Sequence, residues 1–418
     1  MGTIGNPSLP KEKIKILLLE GINETAVETL AARGYENVER LTGTLDGSEL
    51  IERLQKVRIL GIRSRSQITA DILKATNTLI AVGCFSVGTN QIDLDTSQQR
   101  GVPVFNAPFS NTRSVAELTI AEIVMLFRRV FPRSNAAHDG VWQKTAAQSH
   151  EVRGRTLGIV GYGNIGTQLA NLAEAMGMRV IYYDHADKLR HGNAEPVSSL
   201  DDLLAKADVV TLHVPQTPET KNMIGAEQIA RMKDGAFLIN NARGNLVDLE
   251  ALASALHAGK LGGAAIDVFP VEPSSNKEAF TTPLQGSENV ILTPHVGGST
   301  LEAQSRIGEE VARKLADYSD IGNTVGAVNF PEVLLPPRPA GTRFLQVHKN
   351  LSGELSRLNE VFSEHKINIA GQFLQTRGHI GYVVLDADGA VPNADEILKQ
   401  IRTLDGTIRA RILHRVTI

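Results

Sequence analysis

The segment LGIVGYGNIG, residues 157–166, carries the sharpest chemical signal in this 418-residue chain. Gly161, Gly163 and Gly166 form G-x-G-x-x-G directly after an apolar run, and Ile165, Leu169, Leu172 and Met176 then recur at helical spacing. In such a pattern the first glycine permits a tight turn, the second lets backbone approach a pyrophosphate, and the third lets helix pack on strand. The free N–H groups and positive dipole end of the following helix then face the phosphates. Asp184 closes the next apolar run, VIYYD, at about the twenty-residue spacing of a ribose-binding carboxylate. A carboxylate there accepts hydrogen bonds from ribose hydroxyls and repels a 2′-phosphate, so the pattern predicts NAD rather than NADP.

Hydride transfer between such a cofactor and a 2-hydroxy or 2-oxo acid needs a cation for the carboxylate and a proton donor for the forming alkoxide. Arg243 in LINNARG, Glu272 in FPVEP and His295 in PHVGGST each follow an apolar run, which places them outside the carboxyl ends of strands, where open α/β sheets form their ligand crevice. One such residue alone reads as a structural ion pair; three at strand ends of one domain read as chemistry. Arg63, Ser64 and Arg65 follow the run RILGI and offer the forked donors that suit a phosphate. Asn111 and Lys144 are further candidates for substrate contact. Cys84, the only cysteine, reads as a small buried apolar residue and excludes an internal disulfide framework. No metal site is assigned.

The elements that must carry these residues follow from the apolar pattern. Runs at 14–20, 58–62, 79–84 and 102–105 alternate with helical patterns, and a second series of six runs extends from Thr156 to Thr293. Continuous apolar runs separated by helices predict parallel sheets covered on both faces: two doubly wound α/β domains, one Rossmann and one flavodoxin-like. A helical pattern extends from Thr112 to about Val130. PEVLLPPRPAGT, with four prolines, predicts an extended linker, and the remainder reads βαββαβ. With 43 basic against 46 acidic residues the net charge is −3, so nucleic acid is not the expected partner. The first fifteen residues lack the apolar core of a signal peptide, and no uninterrupted apolar stretch is long enough to span a membrane. The expected location is cytoplasmic.

GYGNIG with Asp184, NARGNLVD, AIDVFPVEP and TPHVGGST resemble the D-isomer-specific 2-hydroxyacid dehydrogenases. GIRSRS, VGCFSVGTNQID, NAPFSNTRSVAELTIAE and a terminal module similar to an ACT domain narrow the likeness to the bacterial branch that oxidises D-3-phosphoglycerate to 3-phosphohydroxypyruvate, the first step toward L-serine. The resemblance implies a substrate-binding domain from residues 1–110 and 299–332, an NAD-binding domain at 111–298, a linker at 333–342 and an ACT regulatory domain at 343–418. It implies that His295 exchanges the proton, Glu272 orients its ring, and Arg243 binds the substrate carboxylate. Cofactor contacts would come from Gly161, Gly163, Asn164, Ile165, Gly166, Asp184, Asn241, Ala242, Arg243, Asp267, His295, Val296, Gly297 and Gly298. L-Serine as effector would meet His348, Asn350 and Asn368, and the assembly would be a homotetramer. Reduction of 2-oxoglutarate is an implied side reaction. Three departures bear on regulation rather than catalysis: Ser352 where many members carry proline, Lys349 beside the effector turn, and Ala340 before Gly341 where a glycine pair is expected. Ala242 replaces a frequent serine. An unphosphorylated 2-hydroxy acid as substrate, or an NAD-sensing regulator, are the other readings the residues allow.

Overall fold

The computed structural model describes residues 9–273, 277–336 and 341–413. The first apolar runs form a five-stranded parallel sheet of β1 (Ile16–Leu18), β2 (Val38–Arg40), β3 (Ile59–Ile62), β4 (Ala81–Cys84) and β5 (Val104–Asn106), in the order β2-β1-β3-β4-β5. That is the flavodoxin-like order. Every residue of β1, β3, β4 and β5 is buried, as a sheet covered on both faces requires. The sequence pattern misses β2, an edge strand whose residues Val-Glu-Arg are at most half buried. The long helix Leu301–Ile321 returns the chain to this sheet. A Cβ on Gly83 would lie 2.7 Å from Leu315 and 2.8 Å from Val311, so the glycine allows that helix to approach.

The second sheet contains β6 (Thr156–Val160), β7 (Arg179–Tyr183), β8 (Glu195–Pro196), β9 (Val209–Leu212), β10 (Ala236–Asn240), β11 (Leu261–Ile266) and β12 (Val290–Leu292), ordered β12-β11-β10-β9-β6-β7-β8 and parallel throughout. This is the Rossmann order with one added strand, and its topological switch lies between β6 and β9. Seven strands replace the six expected. The extra one, β8, has two exposed residues, one a proline, which suits only an edge. The helical pattern through Val130 is two helices, Thr112–Arg128 and Val130–His138, separated by Arg129 in the left-handed conformation (φ 50°). Pro132 falls in the first turn of the second helix, where a missing N–H breaks no helical bond.

The third sheet is antiparallel, with β13 (Arg343–Lys349), β14 (Ile369–Arg377), β15 (Ile380–Ala387) and β16 (Thr407–Leu413) in the order β14-β15-β13-β16, and helices Glu354–Glu364 and Ala394–Thr403 complete βαββαβ. Alternation along β13 sends Phe344 into the helix-covered core and Leu345 and Val347 into a core shared with Tyr318, Phe330 and Leu335. The start of the proline-rich segment is therefore packed rather than a free spacer, with Val333 and Leu335 buried. Ala340 lies outside the described residues. Gly341 is needed where it stands, since a Cβ would lie 2.5 Å from the Ala387 carbonyl oxygen. By compactness the chain divides into residues 1–110 with 304–418, and residues 111–303.

Candidate active site

In the unit 111–303, three strand exits converge. His295 follows β12 with φ 55°, an uncommon conformation for a non-glycine residue, and its N–H donates to the carbonyls of Asp267 (2.8 Å) and Thr293 (3.0 Å). Asp267, just after β11 and 1% exposed, spends its carboxylate on the same loop. Oδ1 accepts from Val296 N (2.8 Å) and Thr293 Oγ1 (2.6 Å), and Oδ2 accepts from Gly297 N (2.8 Å). The carboxylate thus fixes the backbone that presents the imidazole.

His295 Nδ1 lies 2.8 Å from Glu272 Oε2, and Glu272 Oε1 accepts from Phe269 N at 3.1 Å. The hydrogen bond to Glu272 raises the His295 pKa above its ordinary value and outweighs burial, which lowers it. Burial would raise Glu272, but the hydrogen bond and charge of His295, the Phe269 N–H and the Arg243 charge together outweigh it and hold the carboxyl below its ordinary range. With Nδ1 engaged, Nε2 is the nitrogen left to exchange a proton. Arg243 leaves β10 in the turn Asn240–Gly244, and burial lowers its pKa while Glu272 opposes that shift. The turn packs tightly: a Cβ on Gly244 would lie 2.0 Å from the Phe269 carbonyl carbon, so only glycine fits. That contact brings Arg243 beside the Phe269–Glu272 segment.

The glycine loop has the shape a dinucleotide needs. Gly161 has φ 94°, and a Cβ there would lie 2.5 Å from the His213 carbonyl oxygen; a Cβ on Gly163 would meet nothing within 4 Å, so the backbone is open to a ligand. On Gly166 a Cβ would lie 2.4 Å from the Gly161 carbonyl oxygen. Asn164 and Ile165 begin the helix Asn164–Ala175, with Gly163 at its N-cap. Asp184 ties the loop to β7, its Oδ2 accepting from Tyr162 N at 2.9 Å. These residues fit a dinucleotide.

One supporting carboxylate in this unit was not evident in the sequence. Glu122, on the helix Thr112–Arg128 and fully buried, accepts from Asn241 Nδ2 at 2.7 Å, and Thr119 Oγ1 accepts from the same nitrogen at 3.0 Å. Burial pushes Glu122 up to about 8, so it is largely protonated at neutral pH. Its signal was a lone acid inside an apolar helical window. Asn111 caps the same helix; its Nδ2 faces Gly298, where a Cβ would lie 2.4 Å away. Lys144 is exposed, in irregular chain.

In the other unit, the loop after β3 is built on Glu20, 3% exposed and with φ 61°. Its carboxylate accepts from the backbone N–H of Arg63 (3.1 Å), Arg65 (3.0 Å) and Ser66 (2.9 Å). Burial would raise Glu20, but these bonds outweigh it and lower its pKa. Arg63 is half-buried, and Ser64 and Arg65 are exposed. Cys84 is buried and pushed up to about 12 by that burial, a thiol and not a nucleophile.

In the third sheet, His348 is buried with Nδ1 2.8 Å from the Lys349 carbonyl oxygen, and the exposed Asn350 donates to the Gly378 carbonyl at 3.2 Å. Asn368 donates to Asp388 at 3.4 Å. His348 pairs with Gly381 while Asn368 sits beside the other end of β15, roughly 24 Å away at strand spacing. The three effector candidates do not meet within one chain. Glu354, which the sequence reading passed over, is buried and paired with Arg357, and a Cβ on Gly406 would lie 2.2 Å from its carboxylate.

Comparison with known proteins agrees with this geometry. Residues 120–297 match the family described as D-isomer specific 2-hydroxyacid dehydrogenase, NAD binding domain, and residues 344–409 match the AHAS small subunit-like ACT domain. A D-lactate dehydrogenase from Aquifex aeolicus, solved with NAD and lactic acid, superposes with a TM-score of 0.68 at 30% identity, covering 76% of this chain and all of that one. The fold and site therefore define an NAD-dependent 2-hydroxyacid dehydrogenase with an ACT domain. Within that class, D-3-phosphoglycerate dehydrogenases of Haemophilus influenzae and Escherichia coli are each 54% identical over 408 residues, 97% of this chain and 99% of theirs. The yeast D-3-phosphoglycerate dehydrogenase 1 is 48% identical over 96% of this chain and 88% of its own. The chain belongs to the D-3-phosphoglycerate dehydrogenase family.

Proposed function

We infer that this chain oxidises D-3-phosphoglycerate to 3-phosphohydroxypyruvate, and the observation that carries the reading is the His295–Glu272 pair beside Arg243 at the strand exits of an NAD-binding sheet. The Gly161–Gly166 loop and Asp184 would hold NAD, which would supply the acceptor for the hydride leaving C2. In the same step His295 Nε2 takes the proton from the C2 hydroxyl; the C–H and O–H bonds break and the carbonyl π bond forms. Glu272 stabilises the imidazolium that results. Arg243 holds the substrate carboxylate and polarises the C2 oxygen. In the reverse direction protonated His295 returns the proton. Arg63, Ser64 and Arg65 are assigned to the substrate phosphate.

The ACT domain takes L-serine as effector, with His348, Asn350 and Asn368 as its contacts, in a cytoplasmic homotetramer. Among the described residues no helix is long and apolar enough to cross a membrane. Initial rates of NADH oxidation with 3-phosphohydroxypyruvate, with and without millimolar L-serine, test both parts. A fast rate suppressed by serine is the expected result. A fast rate indifferent to serine removes the effector assignment alone, and no rate with this substrate removes the catalytic one.

A further inference from the structure

A cleft of about 520 Å³ opens at the amino-terminal edge of the first sheet, where the end of helix Leu94–Gln99 faces β16. Arg100, Arg402 and Arg409 line it together with Asn77, Gln99 and Thr407, and no carboxylate does. Arg58 and Arg411 add positive charge close to Arg409. None of these five arginines is paired with a carboxylate among the described residues. Arg343 and Arg357 in the same terminal module each have one, to Asp386 and Glu354. An unneutralised guanidinium cluster at a half-enclosed site is costly, and its cost falls when an anion joins it.

The donors are also free to serve. Arg100 Nη2 donates to the Thr76 carbonyl (3.1 Å) and Asn77 Oδ1 (2.5 Å), Arg402 Nη2 to the Ala410 carbonyl (3.2 Å), and Arg409 Nη1 to the Leu79 carbonyl. Those bonds fix each planar group and leave each arginine at least three of its five N–H donors. We propose that this cleft binds a small phosphate dianion, free or as a monoester, that bridges the first sheet's module to the terminal one. Fork-shaped guanidinium donors match phosphate oxygens in pairs, and the volume exceeds that of a bare ion. The site is separate from Arg63–Arg65, which leave the carboxyl-terminal edge of the same sheet, whereas Arg58 and Leu79 precede β3 and β4 at the opposite edge. Burial, joined by the like charges of Arg411, Arg100 and Arg58, also pushes Arg409 down to about 10, the direction that an unneutralised cationic cluster dictates.

The test is the thermal midpoint of the full-length protein against inorganic phosphate at fixed ionic strength, balanced with sodium chloride. The expected result is a saturable rise that chloride does not reproduce. It survives in Arg65→Gln, which removes the other phosphate candidate, and Arg402→Gln, an exposed position, weakens it at least about 10-fold. Arg100→Gln with Arg402→Gln abolishes it while turnover in phosphate-free buffer stays unchanged. Glycerol 2-phosphate run in parallel distinguishes an ester from the free ion. No rise beyond that of chloride, a rise lost in Arg65→Gln, or one that persists in the double variant would each overturn the proposal.

Discussion

Glu272 and His295 form a pair whose pH dependence has a definite sign. The folded-state pKa of His295 is raised, chiefly by its hydrogen bond to Glu272. Oxidation needs neutral imidazole, so kcat/KM for the hydroxy acid falls as pH drops through that raised value; reduction needs imidazolium and falls as pH rises through it. Glu272→Gln removes the charge and lowers the His295 pKa, so both limbs move to lower pH and the maximal rates fall by roughly 10²-fold; pH–rate profiles in both directions check this. Limbs that stay in place would detach Glu272 from the proton transfer. Glu20 acts at a distance from any proton. Glu20→Gln turns an acceptor of three backbone N–H bonds into a group that points an NH₂ at one of them, at a cost of about 1–3 kcal/mol. The 63–66 loop loosens, so KM for the phosphorylated substrate rises roughly 10-fold with kcat nearly unchanged, a split that steady-state kinetics resolves. The placement of Arg243, Glu272 and His295 at neighbouring strand exits was legible in the sequence because the proposed chemistry demands particular side chains at strand ends. Glu20 and Glu122 were not, because a carboxylate within an apolar run does not name partners that lie far along the chain.

At the scale of elements, the strands most plainly legible in the two parallel sheets are those buried on both faces, where apolar residues dominate. The two that escaped, β2 and β8, are edges with charged or proline-containing sequences. The glycine loop illustrates the reverse case, where local backbone geometry dictates residue type. Gly161 sits at φ 94°, and a Cβ there would enter the His213 carbonyl. Gly161→Ala therefore forces the turn open and displaces the helix N-terminus that would face the pyrophosphate. The expected outcome is a loss of NADH binding of at least about 10²-fold, read by NADH fluorescence titration. The far-UV spectrum should keep its helix and strand content, since the six neighbouring strands are untouched. Undiminished NADH affinity in Gly161→Ala would mean the cofactor phosphates bind elsewhere.

For the whole molecule, the terminal module is held to the first by contacts that a flexible tether would lack. Arg343, wholly buried, forms a two-pronged pair with Asp386 (2.6 and 2.7 Å) and donates to the Ile321 carbonyl, while Tyr382 donates to Gly322. Asp386→Asn leaves the guanidinium buried without its charge partner, and about 3–5 kcal/mol of stability should disappear from urea unfolding. That attachment bears on the proposed serine site. His348 and Asn350 stand at one end of β15 and Asn368 beside the other, so one chain cannot supply all three to a molecule as small as an amino acid. Two modules can do so where a twofold axis sets the His348 end of one copy against the Asn368 end of its partner, since the symmetry then forms that site twice. His348→Ala and Asn368→Ala should then each abolish serine inhibition when tested alone. Chains of the two variants unfolded together and refolded as a mixture should regain it in part. In a mixed pair the intact His348 of one chain meets the intact Asn368 of the other, giving one working site, and about half of the pairs are mixed on random assembly. If the mixture stays as insensitive as its parents, the residues do not form one site across two chains, and the effector would have to bind within a single module.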